Sequence, residues 1–544
     1  MLSKRPFHPL LFALFPALSL YSLNTALVPA SDVPFPLLLV LGSTCVVWAI
    51  LSLVLRSVER GAAGASLAVV LCFAYGHIWN LTQQNPTLKR TFEVRSDMFW
   101  YWFPFLVIGV TLGCWKWKRF SAITGGLNVG GIILAGFPAV SIATSWFNAW
   151  RGTQILEASS HSLKLQVTNR PDIYYVILDG FGRTDSLKRV IGYDDSTFIS
   201  GLQDRGFFVA EDGRSNYCQT ELSLSSSLNL DYLPNLLPGM KKTWDDRQVL
   251  DHLIDKNQVS KYLKKIGYRY EAFTTGFPSV RPYSADLWVD SIRSLSFYSG
   301  VLLQELPSPA ENDTVTISQF EDRRLMVEGA LNNLAKSAPG GTQPRFIFAH
   351  ILAPHPPFVF GPSGEPIRPY KMGFSFVDGS DYFENGGSPK QYKTGYADQA
   401  TYLTKRVLET IDQILKRSAK PPIIIFQGDH GSKLKLNQQL LEKTDVNECF
   451  PNLNALYVPP EVRSNLYPGM TPVNSFRMIF NGLFHDTFDR LPDKSYYSGW
   501  LTPFDFIDVT SRIKSQGVSP SPATKPDAGT QLSMKASSSR PGGS

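Results

Sequence analysis

The chain has 544 residues, a formal net charge of +7, 43 % hydrophobic residues and only 18 % charged ones. An aromatic share of 12 % excludes a mostly disordered chain, and the modest charge without basic tracts gives no reason to expect a nucleic-acid partner. The mean hydropathy of −0.08 averages two unlike parts. Within the first 150 residues, the stretches 6–31, 33–55, 61–88, 98–115 and 120–150 contain no Asp, Glu, Lys or Arg, which excludes a purely cytosolic protein.

A bilayer-spanning helix needs about 20 apolar residues, so spans are expected at 9–29, 35–55, 63–81, 98–115 and 122–147. One such stretch alone is also compatible with a buried core helix, and the first with a signal peptide, since Lys4 and Arg5 precede an apolar run ending Val28-Pro29-Ala30. Five in succession favour a membrane domain over 1–150. Lys4, Arg5, Arg56, Arg60, Lys116, Lys118 and Arg119 fall on one side of it, whereas the other holds the 30–34 turn and the mixed 82–97 loop with Lys89, Arg90 and Arg95. The positive-inside bias then places the N-terminus in the cytoplasm and everything after Arg151 outside. With no charged residue inside a span the domain reads as an anchor, with His8 and His77 as interfacial residues. Cys45, Cys72 and Cys114 fall in spans; Cys218 and Cys449, outside, are expected to pair as a disulfide in an oxidising compartment.

Residues 151–170 read as a polar juxtamembrane linker or an amphipathic helix lying at the membrane, 171–511 as a folded domain, and 512–544, rich in Ser, Pro, Gly and Lys, as a disordered tail. In the domain, strands are expected at Ile173–Leu178, Phe207–Ala210, Tyr268–Thr275, Phe346–Leu352, Pro422–Phe426 and Leu453–Val458, and helices at 195–205, 247–265, 321–336 and 393–417. Continuous apolar strands such as Ile423-Ile424-Ile425-Phe426, alternating with helices, predict an α/β domain around a mostly parallel sheet. Ligands bind such sheets beyond the carboxyl ends of the strands.

Polar signals stand at those ends. Tyr174–Leu178 runs into Asp179-Gly180, and Ile424–Phe426 into Gln427-Gly428-Asp429-His430-Gly431. A carboxylate there wants a metal or a charged partner, unless it simply caps the next helix; Asp with His suits a divalent ion. The hydroxyl-rich run Ser215–Ser227 is expected to enter a helix, and a hydroxyl at a helix start meets unpaired N–H groups and the positive dipole end, which suit a phosphate-like anion and an activated hydroxyl; an ordinary Ser/Thr cap is the alternative. A further strand ends in Phe348-Ala349-His350-Ile351-Leu352-Ala353-Pro354-His355-Pro356-Pro357-Phe358. Here His355 is placed for a leaving group or phosphoryl oxygen, while His350 reads equally as a core histidine. Lys433 and Arg183 join His350 and His355 as candidate substrate-binding residues. The aromatic, Gly-rich segment 361–392, with Tyr370, Phe374, Phe376, Tyr382 and Phe383, is either a lid or acceptor site or a surface insertion.

Asp179, Thr220 and Asp429-His430, in that order, resemble the alkaline phosphatase superfamily in its sulfatase-like branch. The five preceding spans are similar to those of the lipoteichoic acid synthase and phosphoethanolamine transferase group. The resemblance implies one divalent metal (zinc, manganese or magnesium) held by Asp179, Thr220, Asp429 and His430, with Thr220 as nucleophile. Thr220-x-x-Ser223 resembles the Thr-x-x-Ser around that group's nucleophile, and His355 in Pro-His-Pro-Pro-Phe its phosphate-contacting histidine. Two features depart from the pattern. Cys218 is followed by Gln219-Thr220-Glu221-Leu222, without the Cys-x-Pro-x-Arg or Ser-x-Pro-x-Arg of true sulfatases, and Asn447–Asn452 stands where the transferases carry a later histidine.

The resemblance thus implies a multi-pass inner-membrane enzyme with its catalytic domain in the periplasm. It would move a phospholipid headgroup, phosphoethanolamine or phosphoglycerol, through a phosphothreonine to an envelope lipid, glycan or polymer. A phosphodiesterase or phosphatase of the same fold and a non-catalytic envelope scaffold are the alternatives.

Overall fold

The computed structural model describes residues 5–25, 28, 30–84, 88, 95–116, 120–157, 169–273, 276–277, 279–280, 282–289, 306, 312–337, 343–367 and 375–515. Five N-terminal helices come first: α1 (His8–Leu23), α2 (Pro34–Val54), α3 (Val58–Gln84), α4 (Arg95–Lys116) and α5 (Phe120–Glu157). Among the described residues, three stretches are long and apolar enough to cross a membrane, Pro34–Val54, Val58–Trp79 and Ile123–Phe147, while α1 is a shorter apolar helix. The protein is therefore membrane-anchored, with three qualifying spans where the charge-free stretches predicted five. The outward faces of these helices are apolar, with Leu38, Leu53, Val54, Ile133 and Phe137 exposed, as lipid contact requires.

His8, at the start of α1, is fully buried against the neighbouring helices. Its Nδ1 lies 2.7 Å from Ser66 Oγ, and Asn128 on α5 accepts from the Phe7 and His8 N–H groups at 3.2 and 3.0 Å. That asparagine supplies partners for amides that a helix start leaves unpaired. The first part of the expected linker is helical: α5 continues unbroken to Glu157, since no proline interrupts 147–157. Residues 158–168 lie outside the described residues, as do Lys118, Arg119 and the 516–544 part of the tail. Residues 512–515 belong to the fold, for Lys514 donates its N–H to Asn447 Oδ1 at 2.7 Å.

The rest is a three-layer α/β/α domain. A seven-stranded sheet has β1 (Ile173–Leu178) at its centre, β2 (Phe208–Val209), β3 (Arg269–Phe273), β4 (Leu287–Val289), β5 (Arg345–Ile351), β6 (Ile423–Gln427) and β7 (Asn454–Tyr457), in the order β2-β7-β6-β1-β5-β3-β4. Only β7 runs against the others. Every residue of β1 is buried, and alternate side chains serve opposite layers. Tyr174, Val176 and Leu178 pack with α6 (Ser196–Asp204), α10 (Asn312–Lys336) and α11 (Pro389–Arg417). Ile173, Tyr175 and Ile177 pack with α7 (Thr220–Leu228), α9 (Gln258–Lys265) and α12 (Pro472–Phe484). The expected 247–265 helix is two, α8 (Gln248–Asp255) and α9, because Asn257 caps the second by accepting from Ser260 N at 2.7 Å. The short hairpin β8 (Tyr496–Tyr497) and β9 (Ile507–Asp508) completes the domain.

Candidate active site

Parallel strands β1, β5 and β6 all end on one edge, and the site is built from the residues that follow them. Asp179 follows β1, its N–H donating to Ile351 O at 2.9 Å and its C=O accepting from His355 N at 3.1 Å. Asp429 follows β6 across Gly428, where a Cβ would strike the Phe181 carbonyl. Its Oδ1 accepts from Gly180 N at 2.9 Å and His430 N at 3.1 Å, stitching the two loops together.

Thr220, the first residue of α7, puts Oγ1 3.3 Å from His430 Nε2 and 3.5 Å from Asp179 Oδ2. Ser223, one turn on, donates to the Asp429 carbonyl at 2.7 Å, which gives the Thr-x-x-Ser spacing its structural sense. His430 Nδ1 lies 2.8 Å from Gly431 O and so carries the proton, leaving the Nε2 lone pair free. That Nε2 stands 3.4 Å from Asp179 Oδ1 and 3.3 Å from Asp429 Oδ2. Both oxygens are buried and have no hydrogen-bond partner among the described residues.

The electrostatics follow from burial. Desolvation, helped by the Asp429 charge, pushes the Asp179 carboxyl up to about 7, with His355 and Lys433 opposing. Desolvation holds His430 well below the ordinary histidine range, and Lys433 adds to this, so its imidazole is neutral. Two buried carboxylate oxygens without hydrogen-bond partners beside a neutral imidazole are costly unless a cation joins them. This donor set of carboxylates, imidazole and hydroxyl fits a divalent ion.

His350 belongs to this cluster rather than to the apolar core alone. Its Nε2 lies 3.0 Å from Asp179 Oδ2, and burial lowers its pKa to about 4, so the neutral ring donates to the carboxylate. Asp179, His350 and Asp429 each offer a ligand atom within 4.8 Å of the others. Behind it, the buried Arg323 of α10 donates to Leu352 O at 2.9 Å.

His355 is buried, with Nδ1 2.5 Å from Pro356 O and Nε2 3.4 Å from Asp378 Oδ2. Asp378 is a residue that sequence reasoning missed. It sits in the aromatic segment 361–392, whose Tyr370 and Phe374 lie outside the described residues. Within that segment Tyr382 packs in the core with Phe358 and Tyr392, and Phe376 lies against Phe277 and Arg323. Lys433 is buried beside the cluster and has no ion-pair partner among the described residues; its backbone N–H donates to Tyr392 Oη at 3.2 Å.

Two expectations are corrected. The Arg183 guanidinium does not face substrate: Asp185 at 2.7 Å, Asp212 at 3.1 Å and the Gly213 and Lys514 carbonyls occupy it. Cys218 and Cys449 do share one cluster, with Leu436, Phe450 and Tyr497, but both thiols are free rather than bridged. Burial pushes Cys218 up to about 11, so it stays a protonated, apolar packing residue.

In the segment Asn447–Asn452, Glu448 turns inward and accepts from Ser432 Oγ, Leu434 N and Lys435 N at 2.8, 2.6 and 2.9 Å. A second missed group is the buried pair Arg247–Glu221 at 3.2 Å, directly after Thr220.

A family model described as Sulfatase matches residues 171–497. The chain belongs to the sulfatase family. This sulfatase-family chain is also similar to several solved structures. The zinc complex of the C-terminal periplasmic domain of EptC from Escherichia coli is 11 % identical, with 65 % of this chain and 96 % of that one covered and a TM-score of 0.41. The lipoteichoic acid synthase LtaP from Listeria monocytogenes is 13 % identical over 68 % and 93 %, TM-score 0.37. The lipooligosaccharide phosphoethanolamine transferase EptA from Neisseria meningitidis is 12 % identical over 83 % and 84 %, TM-score 0.37. No curated protein matches the chain.

Proposed function

We propose that this sulfatase-family protein is a multi-pass inner-membrane phosphotransferase. Its catalytic domain would stand in the periplasm and move a phospholipid headgroup, phosphoethanolamine or phosphoglycerol, to an envelope lipid, glycan or polymer. The observation that carries the reading is the convergence of Thr220 Oγ1, His430 Nε2 and the unpartnered oxygens Asp179 Oδ1 and Asp429 Oδ2 at the start of α7. Asp179, Asp429, His430 and Thr220 would hold one divalent ion, which when bound lowers the pKa of the threonine hydroxyl and offsets charge on phosphoryl oxygens. Thr220 Oγ1 attacks the phosphorus, its proton directed toward Asp179 Oδ2, and His350 keeps that carboxylate in place. His355, with Asp378 beside its Nε2, protonates the departing diacylglycerol oxygen. Lys433 balances the phosphate charge. An acceptor hydroxyl then attacks the phosphorus of the phosphothreonine diester and gives its proton to His355, while the Thr220 Oγ1–phosphorus bond breaks and Thr220 recovers its proton from Asp179. The membrane anchor favours a transferase over a hydrolase, since it keeps the domain beside a donor that never leaves the bilayer.

Incubating the full chain with labelled phosphatidylethanolamine or phosphatidylglycerol and measuring intact mass tests this. We expect a headgroup-sized mass gain in the wild type and none in Thr220→Ala. Full turnover by Thr220→Ala would overturn the assignment of the nucleophile.

A further inference from the structure

The catalytic domain touches the membrane helices through a small polar contact. Ser145 on α5 donates to Asp246 Oδ2 at 3.2 Å, and Gln248 Nε2 donates to Ser145 Oγ at 3.0 Å and to the Thr25 carbonyl at 3.2 Å. Thr25 lies just past α1 and Ser145 near the end of the apolar stretch Ile123–Phe147 of α5, so the contact sits where the apolar parts of these two helices end.

The surface continuous with that contact has an unusual make-up. The chain entering it reads Met240-Lys241-Lys242-Thr243-Trp244, with Lys241 and Lys242 exposed and Met240 and Trp244 half-buried. The Lys242 ammonium extends to Asp505 at 2.8 Å while its side chain keeps 75 % of its exposure. From the other side, the Arg247 guanidinium lies 3.9 Å from the Trp500 ring centroid and donates to the Trp500 carbonyl at 2.9 Å. This fixes the loop on which Leu501 is 63 % exposed. Two tryptophans, an exposed leucine, a methionine and two lysines thus share one rim. Trp is enriched where one side of a ring is apolar and the other wet, and Lys beside such a patch is drawn to anionic headgroups.

We propose that Met240, Lys241, Lys242, Trp244, Trp500 and Leu501 form a seat that rests on the bilayer surface, with Leu501 and the tryptophans reaching the acyl boundary and the lysines meeting anionic headgroups. The seat borders the nucleophile through Arg247, whose guanidinium also binds Glu221 and Gln219, the residues on either side of Thr220. It therefore sets the height of the site above the lipid, whichever headgroup chemistry the site performs.

The test places a photo-crosslinking side chain at position 501, 244 or 325 of the full chain, reconstituted in nanodiscs of phosphatidylcholine alone or an equimolar mixture with phosphatidylglycerol. Leu325 is a partly exposed control on α10, on the opposite face of the sheet. Positions 501 and 244 should capture labelled phospholipid at a yield several-fold above position 325. Lys241→Gln with Lys242→Gln should lower the yield at 501 in the mixed discs and leave it unchanged in phosphatidylcholine. Equal yields at 501 and 325, or capture of a polypeptide in place of lipid, would overturn the seat; an equal effect of the lysine changes in both discs would remove its anionic part. None of these readouts depends on turnover, so the mass gain at Thr220 is judged separately.

Discussion

Glu448 shows how a single residue outside the reacting groups holds them in place. Its two oxygens pin Ser432, Leu434 and Lys435, the loop that follows Asp429-His430. Burial pushes its carboxyl up to about 7 from 4.5, the hydrogen bonds opposing. The folded state therefore binds this proton more tightly than the unfolded chain. The resulting contribution to stability is fully present below about pH 4.5, is lost as pH rises toward 7 and stays level above it. In Glu448→Ala, melting should fall at every pH. Its deficit against the wild type should narrow by on the order of 3 kcal/mol between pH 4.5 and 7, at about 1.36 kcal/mol per pK unit; a deficit that widens with pH would refute this. Asp429→Ala removes the carboxylate that ties Gly180 N to His430 N as well as the unpartnered Oδ2. We expect bound divalent metal in the purified protein to drop to background, and unchanged content would remove Asp429 from the ligand set. Asp179, Asp429 and His430 were readable in the sequence because each stands where a buried strand ends, whereas Thr220 was singled out of the hydroxyl-rich run 215–227 only by the family resemblance. Glu448, Asp378 and Arg323 carry no such local mark: each acquires its partner only when distant loops close.

Among the elements, α7 and α8 form the unit that presents Thr220, the proposed nucleophile. Arg247, just ahead of α8, binds Glu221 Oε2 at 3.2 Å and Gln219 Oε1 at 2.5 Å, with Asp251 buried nearby. Burial holds Arg247 below and Asp251 well above its ordinary value, and Glu221 adds to the second shift. Removing the lone cation from such a cluster leaves a buried carboxylate uncompensated. Arg247→Ala should therefore cost about 3–5 kcal/mol, measured by denaturant or thermal unfolding in detergent. Arg247→Met with Glu221→Gln should recover much of that loss, which an independent role for each residue would not allow. The long buried strands were legible from their apolar runs, since two covered faces leave no polar alternation. Strands β4, β8 and β9 have two or three residues and no such signal. The break between α8 and α9 was written in Lys256-Asn257, but its effect as a cap appears only with Asn257 Oδ1 on Ser260 N.

At the scale of the whole molecule, an apolar anchor and a polar domain meet where Asp246 and Gln248 contact Ser145 and Thr25. Burial in this contact raises the Asp246 carboxyl above its ordinary range, so the domain spends electrostatic energy to stay attached there. Under the proposed function such a contact is explained by positioning: a donor embedded in the bilayer would present its phosphorus at a fixed height, and the site would have to meet it. A misplacement of about 1 Å can cost on the order of 100-fold in rate. Asp246→Ala combined with Gln248→Ala removes the hydrogen bonds Ser145–Asp246, Gln248–Ser145 and Gln248–Thr25 between the domain and the anchor, without touching the Asp179–Asp429–His430 cluster. We expect metal content to be retained and turnover of a short-chain, water-soluble phosphodiester to be unchanged. Turnover of the same headgroup on a bilayer-borne donor should fall by about 10-fold or more. An equal loss on both donors would mean that the contact supports the catalytic fold itself, whereas the separation of the two assays is what an anchor that sets the height of the site must produce.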